Sequence, residues 1–272
     1  MNEPETQSLR DLLGRRPSRI ELDRAAIEIA RIEYPDLDAD ACITELDDLA
    51  FAIAERAHDL SNGEHFVETA NAYLFGEAGF RGNNENYYDP ANSCLNRVLE
   101  TRVGIPITLS LIYMEVARRL AKNVTGVGLP RHFVVRYDDR SYSALMDPFD
   151  GGRLLTMSDC CRLAQVDELD LSWLQSVDKR FVALRMINNM RGIYFMRKES
   201  AKALRILDLL IEAEPGSADE HKQRAVVLLQ SDRMQEAMSA FQRYLELDPK
   251  ASDREQVEEQ IHNIAFWLAS RN

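Results

Sequence analysis

The last third of the chain repeats itself with a period of 34 residues, and no other sequence feature constrains the fold as strongly. Two prolines, two alanines and two large apolar residues recur at this offset: Pro215 and Pro249, Ala203 and Ala237, Leu207 and Phe241. Such a period is typical of stacked helical repeats, in which a small residue lets helices approach and a proline ends each unit. The sequence therefore predicts four helices and a capping helix, over 181–195, 200–213, 217–230, 233–247 and 253–269.

The recurring positions resemble the small, aromatic and proline positions of tetratricopeptide repeats. Arg191 and Ala225 stand where such repeats usually carry glycine. Two repeats are fewer than an independent solenoid usually needs, so two interpretations stay open: a groove that binds a peptide, or a packing module without a partner. The candidate groove residues are Asn188, Gly192, Lys222 and Val226.

The first part of the chain has the periodicity of amphipathic helices. Ser18 and Glu21 have the spacing of a capping box, which predicts a helix that ends before Pro35. Apolar residues at i, i+3 and i+4 predict two further helices, over 43–60 and 66–76.

A central helix and a small sheet are predicted next. Pro106 suits the first turn of a helix that is apolar over much of its surface, so we expect this helix to be buried. The pattern then changes to three β-prone runs, over 124–127, 133–137 and 142–146, with a hairpin turn at 138–141. Two helical segments follow, over 157–166 and 171–178. The fold class is therefore α+β and mostly helical, with a small antiparallel sheet.

The acidic residues are concentrated near the N-terminus. Residues 1–72 hold 7 basic and 17 acidic residues, whereas the whole chain holds 33 and 45. This excess of acidic over basic residues indicates either solvated helix faces or a docking surface for a basic partner. An acidic chain repels phosphate backbones, which favours a protein or peptide partner over nucleic acid. The expected organisation is an acidic helical layer, a core domain and the repeats, over 1–76, 77–178 and 179–272.

The remaining composition points to the cytoplasm. The opening residues MNEPETQSLRDLLGRR contain no apolar run of the kind a secretory signal has, and no stretch is long and apolar enough to span a membrane. Four cysteines are too few for a disulfide scaffold and lack metal-ligand spacing. Because no glycine-rich phosphate loop occurs either, we expect neither a cofactor nor a metal. No feature of the sequence defines an oligomeric state.

Three residues in the core domain are the types that a thiol-nucleophile site uses: Cys94, His132 and Asp147. A thiolate at the start of a helix is stabilised by the helix dipole, an imidazole can take its proton, and a carboxylate can orient the imidazole. His132 and Asp147 lie at opposite ends of the predicted hairpin, so antiparallel pairing would bring them together. Equally, Cys94 could be a buried apolar residue, His132 a structural histidine and Asp147 a turn residue.

Three neighbouring residues could support such a site. Asn92 and Asn96 could donate hydrogen bonds to an oxyanion, or they could cap helix ends. Arg131 could project over the site, or it could be a surface arginine. Cys160 and Cys161 could form a strained redox disulfide, although two thiols near a helix start, one of them buried, are favoured.

Five segments of the chain resemble the SirB-type family, which joins a transglutaminase-like domain to C-terminal tetratricopeptide repeats. They are GFRGN (79–83), YYDPANSCLNRVL (87–99), GIPITLSLIYMEVARRL (104–120), GVGLPRHFVVRY (126–137) and DPFDGGRLL (147–155). The resemblance covers nearly the whole chain and implies a fold related to papain-like thiol enzymes.

The resemblance implies functions of two kinds. In transglutaminase-like enzymes a Cys, His and Asp catalyse acyl transfer or amide hydrolysis, and His132 and Asp147 match the last two. The catalytic Cys of such enzymes opens the helix that precedes the strands, whereas here that helix opens with Ile105 and Pro106. The interpretation favoured is therefore a cytoplasmic protein that acts mainly through protein contacts, with regulation as its candidate role. The alternative is a cysteine-dependent amide hydrolase or acyl transferase.

Overall fold

The computed structural model describes residues 9–270, apart from the side chain of Arg10. Residues 1–8, 271 and 272 lie outside this range. The prediction that the chain carries no secretory signal rests partly on the first eight of them. Two compact units divide between Met186 and Ile187. This division falls inside a helix, Lys179–Arg197, whose first residue is the predicted start of the repeat region.

Helices form most of the first unit. Among residues 9–178, seven α-helices occur: α1 (Leu9–Leu13), α2 (Leu22–Ala30), α3 (Ala39–Arg56), α4 (Gly63–Asn71), α5 (Leu95–Thr101), α6 (Pro106–Arg119) and α7 (Met157–Ala164). Six short strands accompany them: β1 (Arg81–Gly82), β2 (Val103–Gly104), β3 (Val124–Val127), β4 (Val134–Asp138), β5 (Ser143–Asp147) and β6 (Arg153–Leu154).

Helix α6 is the centre of the first unit, as predicted. Every residue from Pro106 to Ala117 is buried. Pro106 occupies the first turn, where its missing N–H is not needed. The Thr108 hydroxyl accepts a hydrogen bond from the Ile105 N–H at 3.2 Å, which satisfies one donor at the helix start. The uniform burial explains why the sequence of this helix is apolar on nearly all sides.

The sheet that follows α6 has the order β3–β4–β5–β6 and is antiparallel throughout. Val135 pairs with Met146 in the predicted hairpin. The Asp139 carboxylate closes the turn, because it accepts hydrogen bonds from Ser141 N at 2.7 Å and Tyr142 N at 2.8 Å. The hairpin prediction is confirmed, while the parallel β1–β2 pair and β6 were not predicted.

Two local predictions were wrong. Ser18 does not cap a helix: Pro17–Arg19 form a 3-10 turn, and α2 begins four residues after Ser18, at Leu22. Pro17 explains this, since it takes the first position of the 3-10 turn and starts it there. The segment 171–178 is helical only as a short 3-10 turn over Leu171–Leu174.

The second unit consists of helices with the predicted periodicity. The shared helix is α8 (Lys179–Arg197), and four more follow: α9 (Ser200–Ala213), α10 (Ala218–Gln230), α11 (Met234–Leu247) and α12 (Arg254–Ala269). Each lies within two residues of the predicted bounds. Ala203 and Ala237 are buried at equivalent positions, as close helix packing requires.

Between residues 9 and 270, no helix combines the length and the apolar character needed to cross a membrane.

Candidate functional site

A tight turn places His132 at the entrance to β4. The His132 N–H donates to the Leu129 carbonyl at 3.2 Å, with Pro130 second and Arg131 third in the turn. Arg131 has φ +63°, and a proline followed by a positive φ is the pattern of a type II turn. The Arg131 guanidinium donates to Gln165 Oε1 at 2.8 Å and the residue is exposed. Arg131 is thus exposed and bonded to Gln165, and its support of the site stays a prediction.

Asp147 holds the imidazole of His132. The hairpin brings the two residues together, and His132 Nε2 lies 2.9 Å from Asp147 Oδ2. Asp147 Oδ1 accepts a second hydrogen bond, from Phe149 N at 3.0 Å. Because a carboxylate only accepts, Nε2 carries the proton of a neutral ring and Nδ1 carries the lone pair. The side chain of Asp147 is 2% exposed and that of His132 is 12% exposed, so a solute can reach only part of the ring.

Aromatic rings line the approach to His132. The Phe149 ring is nearly perpendicular to the imidazole, with 6.0 Å between ring centroids, and the Tyr87 ring lies 6.1 Å from that of Phe149 and 5.2 Å from that of Tyr88. Gly82 permits this packing, because a Cβ there would fall 2.6 Å from the Phe149 ring. Composition and spacing did not identify these rings. The only signal was their place in motifs that resemble the SirB-type family.

Cys94 is buried rather than open to solvent. It is the residue before α5, with an exposed fraction of 0%. Its Sγ donates a hydrogen bond to the Pro90 carbonyl oxygen at 3.3 Å. A thiol in this setting behaves as a small apolar residue. Its catalytic role, and with it that of His132 and Asp147, stays a prediction.

The two asparagines have different surroundings. The amide of Asn92 organises the preceding loop: its nitrogen donates to the carbonyls of Asn86 at 2.7 Å and Tyr87 at 3.2 Å, and its oxygen accepts from Asn83 at 3.0 Å. Both of its N–H groups are therefore engaged within the loop. Asn96 lies on α5, where it lines a cavity of about 350 Å³ formed with α3.

The paired cysteines are in the thiol form. Cys160 is fully buried and Cys161 is half-buried, which confirms the favoured interpretation of two thiols near a helix start. Burial raises the pKa of the Cys160 thiol, and Val127, Leu129 and Val134 belong to the same apolar cluster. Across residues 9–270, no group of three or more His, Cys, Asp or Glu side chains is placed to hold a metal ion.

The second unit contains a cavity of about 530 Å³. We call it the repeat groove, and its lining includes Phe195, Lys198, Asp219, Lys222, Gln223 and Val226. Of the predicted groove residues, Lys222 and Val226 therefore line it. Asn188 is half-buried and Gly192 is exposed, and neither belongs to this lining. The sequence did not indicate Phe195, Lys198, Asp219 or Gln223.

Comparisons with known proteins cover both units. Residues 40–188 match the family model described as transglutaminase-like superfamily, and residues 190–262 match the model for tetratricopeptide repeats. A UPF0162 protein of Xylella fastidiosa is 32% identical over 240 residues, which is 85% of each chain. A UPF0162 protein of Pseudomonas aeruginosa is 28% identical over 95% of this chain and 96% of its own.

A further relative carries the family name. Protein SirB1 of Salmonella typhimurium is 23% identical over 245 residues, which is 88% of this chain and 90% of its own. Tetratricopeptide repeats are modules of protein–protein contact, so the two matched regions together support an interaction role. The chain belongs to the SirB-type family, in which a transglutaminase-like domain is followed by tetratricopeptide repeats.

Proposed function

We propose that this protein binds a segment of a partner protein in the repeat groove and thereby regulates that partner. The observation that carries the proposal is the lining of the groove. Phe195 and Val226 are 37% and 39% exposed, although both are large and apolar. Exposed apolar side chains inside a cavity of this size are typical of ligand and peptide sites.

Polar side chains at the groove supply hydrogen bonds and charge. Lys198 and Asp219 contribute opposite charges, and the Gln223 amide offers both a donor and an acceptor. Lys222 has a different role: its Nζ lies 2.7 Å from Asp253 Oδ2, so it ties α10 to the residue before α12. The expected partner segment has an apolar side chain for Phe195 and Val226, flanked by polar groups.

A Val226→Arg substitution tests the groove. Peptides of twelve residues selected by phage display against the full chain should bind it, and Val226→Arg should weaken binding at least about tenfold by placing a charge in the apolar contact. Fluorescence anisotropy of the labelled peptides measures the change. Phe266→Arg is the matched control, because Phe266 is 73% exposed on α12 and does not line the groove.

Selected peptides that bind Val226→Arg as tightly as the unchanged protein would place the partner site elsewhere.

We further propose that the protein acts in the cytoplasm, a compartment in which free thiols such as those of its four cysteines persist. Fractionation of cells that express the chain tests this, and recovery with membranes would contradict it.

A second candidate function is thiol-dependent acyl transfer with Cys94 as nucleophile, His132 as base and Asp147 as the group that orients His132. The contact of 2.9 Å between His132 Nε2 and Asp147 Oδ2 favours it, because it leaves the lone pair of Nδ1 for a proton. The burial of Cys94 favours the interaction role instead, because a substrate carbonyl must reach Sγ.

Alkylation separates these two candidates. We expect iodoacetamide at pH 7.5 to modify Cys94 at least about tenfold more slowly than the half-buried Cys161, because a buried thiol reacts only when the structure opens locally. Peptide mass mapping of the full chain measures both rates. If Cys94 reacts first, and His132→Ala slows that reaction, the enzyme candidate is correct.

A further inference from the structure

The repeat groove runs along one face of α10. Residues three or four apart are neighbours on a helix surface, and the groove residues from this helix have that spacing: Asp219, Lys222, Gln223, Val226, Val227 and Gln230. From the first to the last of them, the helix rises about 16 Å. A partner segment that fills the groove therefore lies along α10, and about five residues of extended chain cover this length.

Lys198 lies at the end of this face where α10 ends. It follows the last residue of α8 and has φ +57°, and Asp232, 34 residues later, has φ +58°. The N–H of the next residue donates to the Tyr194 carbonyl in the first case and to the Leu228 carbonyl in the second, both at 3.0 Å. The two helices thus end in the same way, as equivalent helices of consecutive, stacked repeats do. Lys198 is therefore beside the C-terminal end of α10, whereas Asp219 is in its first turn.

These two charges are not neutralised by the protein itself. Lys198 and Asp219 are both exposed and both line the groove, and no ion pair within residues 9–270 includes either of them. Lys222, by contrast, is neutralised by Asp253 at 2.7 Å. The groove therefore offers a partner an anion at one end and a cation at the other. Complementary charges of this kind fix the orientation of a partner and reject partners of the wrong charge.

The apolar contact lies between the two charges. Val226 is seven residues after Asp219, which is about 10 Å along α10, and Phe195 is about one helical turn before Lys198. The end of the face, at Gln230, is about 6 Å beyond Val226. At roughly 3.3 Å per residue, an extended partner would carry its charged residues about three positions to one side of its apolar residue and two to the other.

We propose that the repeat groove selects a partner segment in which a large apolar residue lies between a basic residue and an acidic residue. The basic side chain contacts Asp219, the apolar side chain contacts Phe195 and Val226, and the acidic side chain contacts Lys198. This inference rests on the proposed function, to which it adds the sign and the order of the partner's charges. A segment with two acidic residues would be repelled by Asp219, and one with two basic residues by Lys198.

The selected twelve-residue peptides test the composition of the partner. In those that Val226→Arg weakens, we expect an apolar residue with a basic residue on one side and an acidic residue on the other. Asp219→Lys should weaken the tightest of them at least about fivefold in fluorescence anisotropy, because an attraction becomes a repulsion. Glu259→Lys is the matched control, since it changes the net charge equally and Glu259 is exposed on α12, outside the groove lining.

Peptides with one charge reversed test each end of the groove. Replacing the acidic residue of the tightest peptide by lysine should weaken its binding to the unchanged chain at least about fivefold, and Lys198→Glu should restore that binding. Replacing the basic residue by glutamate should have the same effect, with Asp219→Lys as the variant that restores binding. These recoveries do not depend on the direction of the peptide chain, and they show that each variant is folded.

A second lysine supplies the control for Lys198→Glu. Lys250 is exposed and lies outside the groove lining, so Lys250→Glu should not restore binding. The charge order is wrong if the peptide with two basic residues binds the unchanged chain as tightly as the original, or if Lys250→Glu restores its binding as well as Lys198→Glu does. The groove function then still stands, provided that Val226→Arg weakens the original peptide. A selection without binders, or binding that Val226→Arg leaves unchanged, would instead overturn the groove function and this inference together.

Discussion

Replacing Arg119 by Met is expected to lower the free energy of unfolding by about 3 kcal/mol at pH 7. The guanidinium of Arg119 lies 3.0 Å from Asp23 Oδ2 and 3.0 Å from Glu115 Oε2, and both carboxylates are almost completely buried. Methionine keeps the apolar stem but leaves the two buried acids, among the described residues, with Arg118 as their one ion-pair partner, and the side chain of Arg118 is half exposed. Urea unfolding followed by circular dichroism measures the loss.

A surface ion pair supplies the control for Arg119→Met. Arg243 and Glu246 are 2.8 Å apart on α11, and both side chains are largely exposed. Exposed pairs contribute less than about 1 kcal/mol, so Arg243→Met should change stability little. Equal losses in the two variants would mean that the cluster around Arg119 has no special energetic role.

Replacing the two buried acids of this cluster, Asp23 and Glu115, by their neutral amides should change the stability by different amounts. Burial raises the pKa of Glu115 despite its two arginine partners. Burial also acts to raise the pKa of Asp23, but the Arg24 N–H and the Arg119 guanidinium lower it more, so the net shift is downward. At pH 7, Glu115→Gln should therefore cost little, whereas Asp23→Asn should be destabilising.

The pH dependence follows from the same shifts. The stabilisation from ionised Asp23 is present above its unfolded pKa, near 3.8, and is lost as the pH falls through the lower folded value. Glu115 acts in the opposite sense, because its folded form takes up a proton at higher pH than its unfolded form.

This cluster also explains part of the acidic N-terminal charge. The sequence left open whether those acids are solvated faces or a docking surface. Asp23 is buried and pairs with Arg119, whereas Asp47 and Glu45 pair with Arg119 and Arg102 through side chains that are 61% and 36% exposed, as on a solvated face. The partners are separated by 57 to 96 residues along the chain. Counts of charge along the sequence could not reveal these pairs, because they form only when α2 and α3 pack near the ends of α5 and α6.

Periodic and local features were predictable from the sequence. The repeat helices, α6 and the β4–β5 hairpin follow from spacing over a few residues, and the hairpin was enough to predict that His132 meets Asp147. The burial of Cys94 was not predictable in this way, because it depends on how α5 packs rather than on the residues next to Cys94. The contact between the Phe149 and His132 rings was not predictable either, because it depends on the absence of a side chain at Gly82.

Gly152→Ala is expected to lower the free energy of unfolding by about 3 kcal/mol and to disturb the His132–Asp147 pair. Gly152 has φ +74°, and an added Cβ would lie 2.5 Å from Asn71 Oδ1 and 2.6 Å from Phe75 Cε2. The Gly152 N–H donates to the Asp147 carbonyl at 2.8 Å, and the Gly152 carbonyl accepts from Asn71 Nδ2 at 2.8 Å. A shift of this residue therefore reaches the carboxylate that holds His132.

The neighbouring glycine separates backbone strain from crowding. Gly151 has φ +63°, but nothing lies within 4 Å of the position that a Cβ would take. Gly151→Ala should therefore cost only about 1 kcal/mol, the penalty of a left-handed alanine, and should leave the imidazole signals of His132 in the NMR spectrum unchanged. Gly152→Ala should lose more stability and shift those signals, because crowding against Asn71 and Phe75 moves the backbone bonded to Asp147. If both alanine variants lose the same stability and neither shifts the His132 signals, Gly152 does not position the pair.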